Sequence, residues 1–156
     1  FIGTFIYAGL RGAPWVPTKR KDVQRFLDLA DIKPNDVVYD VGCGNGRMVI
    51  AASKQGANAV GFEVSLFPYL LAKINKLIKK SKAKIKYRDL WRVDLGEADL
   101  VYFFLMPERI KKLKNKFEQE LKPGARVISY VWPIDGWKPI KIDECEGRPK
   151  LYLYEI

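Results

Sequence analysis

This sequence predicts an α/β domain: a doubly wound, mostly parallel sheet with helices on both faces and a C-terminal antiparallel hairpin. Three observations carry that expectation. Apolar runs rich in Val, Ile and aromatic residues alternate with segments whose apolar residues recur every three to four positions, the order that builds parallel strands with crossover helices. The first of these runs, Val37-Val38-Tyr39, leads into Asp40-Val41-Gly42-Cys43-Gly44-Asn45-Gly46, a glycine turn placed between a strand and a helix. The last two runs are joined only by Cys145-Glu146-Gly147-Arg148-Pro149, a connection that suits a hairpin and not a parallel crossover.

The elements follow in order. Phe1 to Leu10 is apolar until Arg11, but ten residues cannot span a bilayer, which takes about 20. Two readings stand for residues 1–13. They are the remnant of a longer membrane anchor, with Arg11 and Lys19-Arg20-Lys21 on its cytoplasmic side, or a local amphipathic helix. Residues 14–156 form the folded domain. Pro14-Trp15-Val16-Pro17 is extended because two prolines fix that geometry, and Thr18 is placed to cap a helix whose Val23, Phe26, Leu27 and Ala30 face the core. Lys33-Pro34-Asn35-Asp36 is turn chemistry before the first strand. Met48 to Ala52 continues as a helix, and Ala59-Val60-Gly61-Phe62-Glu63 is the second strand. From Pro68 to Lys80, Leu70, Ile74, Leu77 and Ile78 make the apolar face of an outer helix, with Lys73, Lys76 and Lys80 on another face. Lys84 to Tyr87 is a third strand. The continuous apolar run 99–105 is a central strand buried on both faces. Pro107 opens a helix with Ile110, Leu113, Phe117 and Leu121 inward. Lys122-Pro123-Gly124 turns into the strand from Arg126 to Val131, and Ile140 to Glu144 and Leu151 to Ile156 form the hairpin.

Composition excludes several chemistries. With 156 residues and 48% hydrophobic content the chain is one domain's worth of core. It has no histidine and two cysteines, which rules out a Cys/His zinc site, a histidine general base and a Ser-His-Asp triad; no metal site is expected. Cys43 fits the tight turn, with a Cys43–Cys145 disulfide as the lesser alternative. The net charge of +10 suits a nucleic acid, an anionic membrane surface or an acidic protein. Seven lysines between Lys73 and Lys86, and Lys111, Lys112, Lys114 and Lys116, read as solvated helix faces or as binding surfaces.

The spacing of the glycine turn narrows the ligand. A dinucleotide fingerprint wants a third glycine where Arg47 stands, and a nucleoside triphosphatase loop wants Lys then Ser or Thr where Arg47-Met48 stand. Neither fits. Glu63 ends the second strand 17 residues after Gly46, near the offset of about 20 at which a carboxylate meets a ribose. Asp89 follows the third strand, so three carboxylates stand at three successive strand ends.

Asp40 before the alternating Gly42, Gly44 and Gly46 resembles motif I of the class I S-adenosylmethionine (SAM) methyltransferases. That resemblance implies SAM as cofactor: the glycines admitting its amino-acid part, Glu63 accepting the ribose hydroxyls, Asp89 accepting from the adenine amino group, Leu90 packing on the ring, and Asp40 ordering the turn or meeting the methionine ammonium. Methyl transfer is a direct displacement that needs alignment and no covalent residue, so no catalytic residue is assigned. Phe104-Leu105-Met106-Pro107 lacks the side-chain carbonyl of the Asp- or Asn-Pro-Pro-aromatic signature in enzymes that methylate base amines.

The Pro14 to Thr18 stretch, Val38 to Arg47, and Trp132-Pro133 to Trp137-Lys138-Pro139 resemble small archaeal protein-lysine methyltransferases and the membrane-anchored mitochondrial lysine methyltransferases that modify part of the ATP synthase. One departure is Lys19, where a proline often opens the helix in those relatives. The implied acceptor is a protein with an accessible lysine, including a membrane protein. Phe104, Trp15, Trp132 and Tyr102 are candidates to line its channel, with the core as the rival place for Tyr102 and Phe104. RNA or a small molecule as acceptor, or a SAM-binding module without catalysis, remain the alternatives. The expected location is the cytoplasm or the cytoplasmic face of a membrane.

Overall fold

The computed structural model describes residues 18–156. The expected anchor segment 1–13 and the Pro14–Pro17 stretch, with Trp15 in it, lie outside the described residues. The described elements are α1 (Arg20–Ala30), β1 (Val37–Val41), α2 (Arg47–Lys54), β2 (Asn58–Glu63), α3 (Leu66–Ile78), β3 (Lys84–Tyr87), a 3-10 turn (Leu90–Arg92), β4 (Leu100–Phe103), α4 (Pro107–Glu120), β5 (Arg126–Tyr130), β6 (Lys141–Asp143) and β7 (Leu151–Glu155). They build one seven-stranded sheet in the order β3-β2-β1-β4-β5-β7-β6. Strands β1 to β5 are parallel, and β7 runs against both β5 and β6. Because the chain leaves β3 at one edge and returns at β4 beside β1, the order reverses between β1 and β4, where a doubly wound sheet opens its ligand crevice.

Each face of the sheet has its own core. Val38, Leu100, Tyr102 and Ile128 pack with Phe26 and Leu29 of α1 and Met48, Val49 and Ile50 of α2. Val41, Val101, Phe103 and Val127 pack with Ile110, Leu113 and Phe117 of α4 on the other side. Alternate residues of β4 serve opposite faces, and all four are buried, as the continuous apolar run required. Burying such a side chain contributes about 1.5–3 kcal/mol.

Two expectations are corrected. Thr18 does not cap α1: Lys19 is the N-cap residue, with no side-chain cap bond, and its carbonyl takes the Asp22 and Val23 N–H groups. The Thr18 carbonyl instead accepts from the Arg47 guanidinium at 2.7 Å, which ties the start of α1 to the start of α2. Helix α3 turns its apolar stripe outward, leaving Leu70, Ile74, Leu77 and Ile78 exposed by 48%, 51%, 74% and 73%. The reason is steric. Ala72 sits so near the glycine turn that a Cβ on Gly46 would lie 3.1 Å from its own Cβ, so α3 seats through Ala72 and Pro68, its buried residues. The lesser alternative for the cysteines, a disulfide, is not formed. Cys43 is buried, Cys145 is exposed, and both are free. Among the described residues no helix is long and apolar enough to cross a membrane.

Candidate functional site

The glycine turn is held from below by β2. Gly42 and Cys43 N–H both donate to the Phe62 carbonyl at 2.9 Å, and Gly46 N–H closes the turn on the Cys43 carbonyl at 2.8 Å. The glycines have different tasks. Gly42 has φ +100, a conformation L side chains rarely adopt, and a Cβ there would meet nothing within 4 Å among the described residues, so they leave the turn open at this point. Gly61 on β2 is needed for the opposite reason: a Cβ would lie 2.7 Å from Cys43 Sγ, so the turn rests directly on the strand. Gly44 and Gly46 also hold positive φ, and Gly46 begins α2 as its N-cap.

Glu63, 7% exposed, is bonded to the turn as well as placed beside it. Its Oε2 accepts from Gly44 N–H at 2.9 Å, while Oε1 accepts from Val64 N–H at 2.9 Å and Ser65 N–H at 2.7 Å. Each carboxylate oxygen has two lone-pair directions, and the Ser65 side chain is a further hydrogen-bond partner of the group, so the chain itself fills most of them. Burial pushes the Glu63 pKa up, and the three backbone donors offset part of that rise. Asp40 is buried at the end of β1, and burial followed by the charge of Glu63 holds its pKa well above the ordinary carboxylate range. Burial, then Asp40 and Glu63, raises the Cys43 thiol in the same way, which keeps it neutral and unreactive. Asp89 caps the 3-10 turn by accepting from Trp91 N–H at 3.1 Å, and Leu90 is buried with Phe62 and Val93. The structure thus gathers Asp40, Gly42, Gly44, Gly46 and Glu63 at the ends of β1 and β2, with Glu63 bonded to Gly44 and Asp89 one strand further out.

On the other side of β1 the register extends the site. Asp40 pairs with Tyr102, and Tyr102 with Ile128. One step further along the same face stand Gly42, Phe104 and Tyr130, with the Phe104 and Tyr130 rings edge to face at 5.4 Å. Phe104, Tyr130, Val131, Thr18, Asp22 and Arg148 line a cavity of about 250 Å³. Larger cavities lie elsewhere, one of them at the amino ends of β2 and β3, away from the carboxyl ends where the crevice opens. Val131 has φ +76, a genuine outlier for a β-branched residue and a strain of about 1–3 kcal/mol of the kind that clusters at functional sites. It is held there by its N–H to the Lys150 carbonyl at 2.9 Å and by Ser129 Oγ donating to the Trp132 carbonyl.

Of the predicted acceptor residues, Phe104 lines this cavity. Trp132 is 38% exposed and is not on its wall, and Trp15 lies outside the described residues. Tyr102 is core, edge to face with Phe26 at 5.1 Å. Among the described residues its buried hydroxyl has no partner of ordinary hydrogen-bond geometry, although Thr18 lies beside it. Sequence reasoning missed Asp22, Tyr130, Val131 and Arg148. Tyr130 was visible as the last aromatic of a strand; the other three carry no local signal.

The ANTKMT methyltransferase domain pattern matches residues 40–141, from the glycine turn into β6. The chain belongs to this family. It is a SAM-dependent methyltransferase domain of the class I fold, as motif I and the sheet order require. A protein-lysine N-methyltransferase of Saccharolobus islandicus is 40% identical over 92% of this chain and 93% of its own length. A lysine N-methyltransferase of Mus musculus that is named for its action on the ATP synthase is 35% identical over 97% of this chain, which spans 62% of that longer protein. The crystal structure of an RNA methyltransferase from Salinibacter ruber, in complex with S-adenosyl-L-homocysteine, superposes with a TM-score of 0.85 at 34% identity, covering 90% of this chain and 94% of that one.

Proposed function

We propose that the chain is a protein-lysine N-methyltransferase that uses SAM. The observation that carries this reading is the aromatic-walled cavity of Phe104 and Tyr130, one strand removed from an open glycine turn. An aromatic wall suits the aliphatic stem of a lysine, and the adjacent turn suits the methyl donor. The 40% identity to a protein-lysine methyltransferase along nearly the whole of both chains supports it.

SAM, when bound, supplies a methyl group on a sulfonium, which a neutral amine takes by forming the N–C bond as the C–S bond breaks and its electrons stay on sulfur. The residues of the chain bind and align. In this reading Gly42, Gly44 and Gly46 let the cofactor's amino-acid part reach the backbone, and Asp40 supports the turn from below. Glu63 turns its carboxylate to the ribose, Asp89 faces the adenine amino group, and Leu90 contributes the apolar contact. The lysine reaches the site neutral, its proton having gone to water.

The runner-up acceptor is RNA. The net charge of +10 and the 34% identity to a Salinibacter RNA methyltransferase favour it. The apolar run from Phe1 to Leu10 supports a further part of the reading, attachment to a membrane whose proteins then become the nearest substrates. Incubating the purified chain with methyl-labelled SAM and a cell lysate, then treating portions with protease or nuclease, tests the acceptor. Label removed by protease alone, recovered as methyl-lysine, is the expected result; label removed by nuclease alone moves the assignment to RNA, and no label leaves a SAM-binding module. Membrane attachment is tested separately by fractionating cells that make the full-length protein, and recovery in the soluble fraction removes it.

A further inference from the structure

The polar side chains around the acceptor cavity are arranged to receive an amine and not an ammonium. Asp22 looks at first like the lysine-binding carboxylate, but its side chain is 2% exposed and already engaged. Its Oδ1 accepts from Arg25 at 3.1 Å and from Arg148 at 3.3 Å, and its Oδ2 accepts from the Tyr130 hydroxyl at 2.9 Å. Tyr130 has spent its only hydrogen on that bond. Its phenolic oxygen therefore meets a ligand as an acceptor, and among the described residues no group donates to it.

The charges around this point set which form of the ligand is welcome. Among the described residues, Lys19 caps α1, Arg25 comes from α1, Arg47 from the start of α2 and Arg148 from the β6–β7 connection; Asp22 from α1 and Asp143 from β6, the latter bonded to Arg25 at 2.6 Å, oppose them. Behind them on β4 and β1 lie Tyr102, held protonated by burial, and Asp40, which burial and Glu63 favour in its neutral form. Four cations against two carboxylates leave a positive excess, which penalises an incoming ammonium and favours its neutral amine. Burial first, and then the bond to Asp22, pushes the Tyr130 pKa up to about 12, so Tyr130 stays a phenol and does not act as a base.

We infer that Tyr130 orients the methyl acceptor: its phenolic oxygen takes an N–H of a neutral lysine amine lying along the Phe104 ring and so turns the nitrogen lone pair toward the glycine turn. The inference rests on the lysine reading above. The proton lost beforehand goes to water, and the Asp22 and Val131 contacts fix where the phenol points.

Tyr130→Phe removes the acceptor oxygen and, with it, the hydroxyl that donates to Asp22 Oδ2, while Arg25 and Arg148 still hold that carboxylate. Two readouts apply: saturation-transfer NMR of n-butylamine on protein loaded with S-adenosylhomocysteine, and the rate of methyl-lysine formation in lysate protein. The variant is expected to bind SAM as wild type does, to lose the n-butylamine signal, and to slow turnover by about tenfold or more with the KM for SAM unchanged. Arg148→Gln, on a surface connection, gives an independent check. With one cation fewer, the rise of rate between about pH 7 and pH 9 is expected to move to higher pH, because the ammonium is penalised less. Tyr130→Phe with wild-type amine binding and rate overturns the inference. So does a loss of SAM affinity and thermal stability in step with the rate, which marks a purely structural residue. A wild-type chain that binds n-butylamine but labels no lysine refutes the lysine reading and leaves the pocket standing.

Discussion

Glu63→Gln separates two roles that the geometry gives to one side chain. In the folded chain Glu63 accepts three backbone N–H groups, from Gly44, Val64 and Ser65, at 2.7–2.9 Å. A glutamine in the same rotamer keeps one oxygen for Val64 and Ser65, but its NH2 faces the Gly44 N–H, donor against donor. The bond lost is one to a charged acceptor, worth about 1.5–3 kcal/mol, and the buried Gly44 donor is left without a partner. Urea denaturation without cofactor is therefore expected to show a loss of that size. If the ribose also uses Oε2, calorimetry is expected to show SAM binding weakened by roughly tenfold to a hundredfold in addition. A loss of stability with unchanged affinity would show that Glu63 only latches the turn, and the ribose assignment would go. A variant within about 0.5 kcal/mol of wild type in both measurements would refute the whole account of the turn.

Other outcomes follow from the same contacts. Leu77→Ser is expected to change stability by no more than about 0.5 kcal/mol, since the residue is exposed, whereas the core position expected from its periodicity would cost several times that; a urea titration decides between them. Gly61→Ala places a Cβ 2.7 Å from Cys43 Sγ, and the overpacking is expected to cost about 1–3 kcal/mol and to weaken SAM binding by moving the turn, both measurable on one sample. Burial tends to raise Asp22, but its bonds from Tyr130, Arg25 and Arg148 win and hold its pKa below the ordinary value. Its stabilisation is thus complete above the unfolded pKa of about 3.9 and lost as pH falls through the lower folded pKa; Asp22→Asn should be less stable by about 3–5 kcal/mol at neutral pH and lose less on acidification. Asp40 and Glu63 have the opposite sign: their raised pKa values mean that the free fold favours their protonated forms as pH falls. A cationic ligand favours the ionised forms, so SAM affinity should drop as pH falls through their raised pKa values, with proton release on binding, and an affinity that does not change with pH would refute the link.

What could be read from the sequence, and what could not, divides along a physical line. The sheet, its switch point and the carboxylates at the strand ends were legible because each depends on a local pattern: an apolar run, a glycine spacing, a turn too short for a crossover. The acceptor side was not, because Asp22, Tyr130 and Arg148 are far apart along the chain and meet only when α1, β5 and the β6–β7 connection pack together. Helix α3 fails for a subtler reason. Periodicity reports that a helix has an apolar face, and the usual inference that this face points to the core assumes that nothing smaller competes for the contact. Here the face of α3 that carries Ala72 packs against Gly46, and the four aliphatic side chains lie on the opposite face. The packing that fixes the cofactor turn is therefore the same packing that turns Leu70, Ile74, Leu77 and Ile78 to the surface.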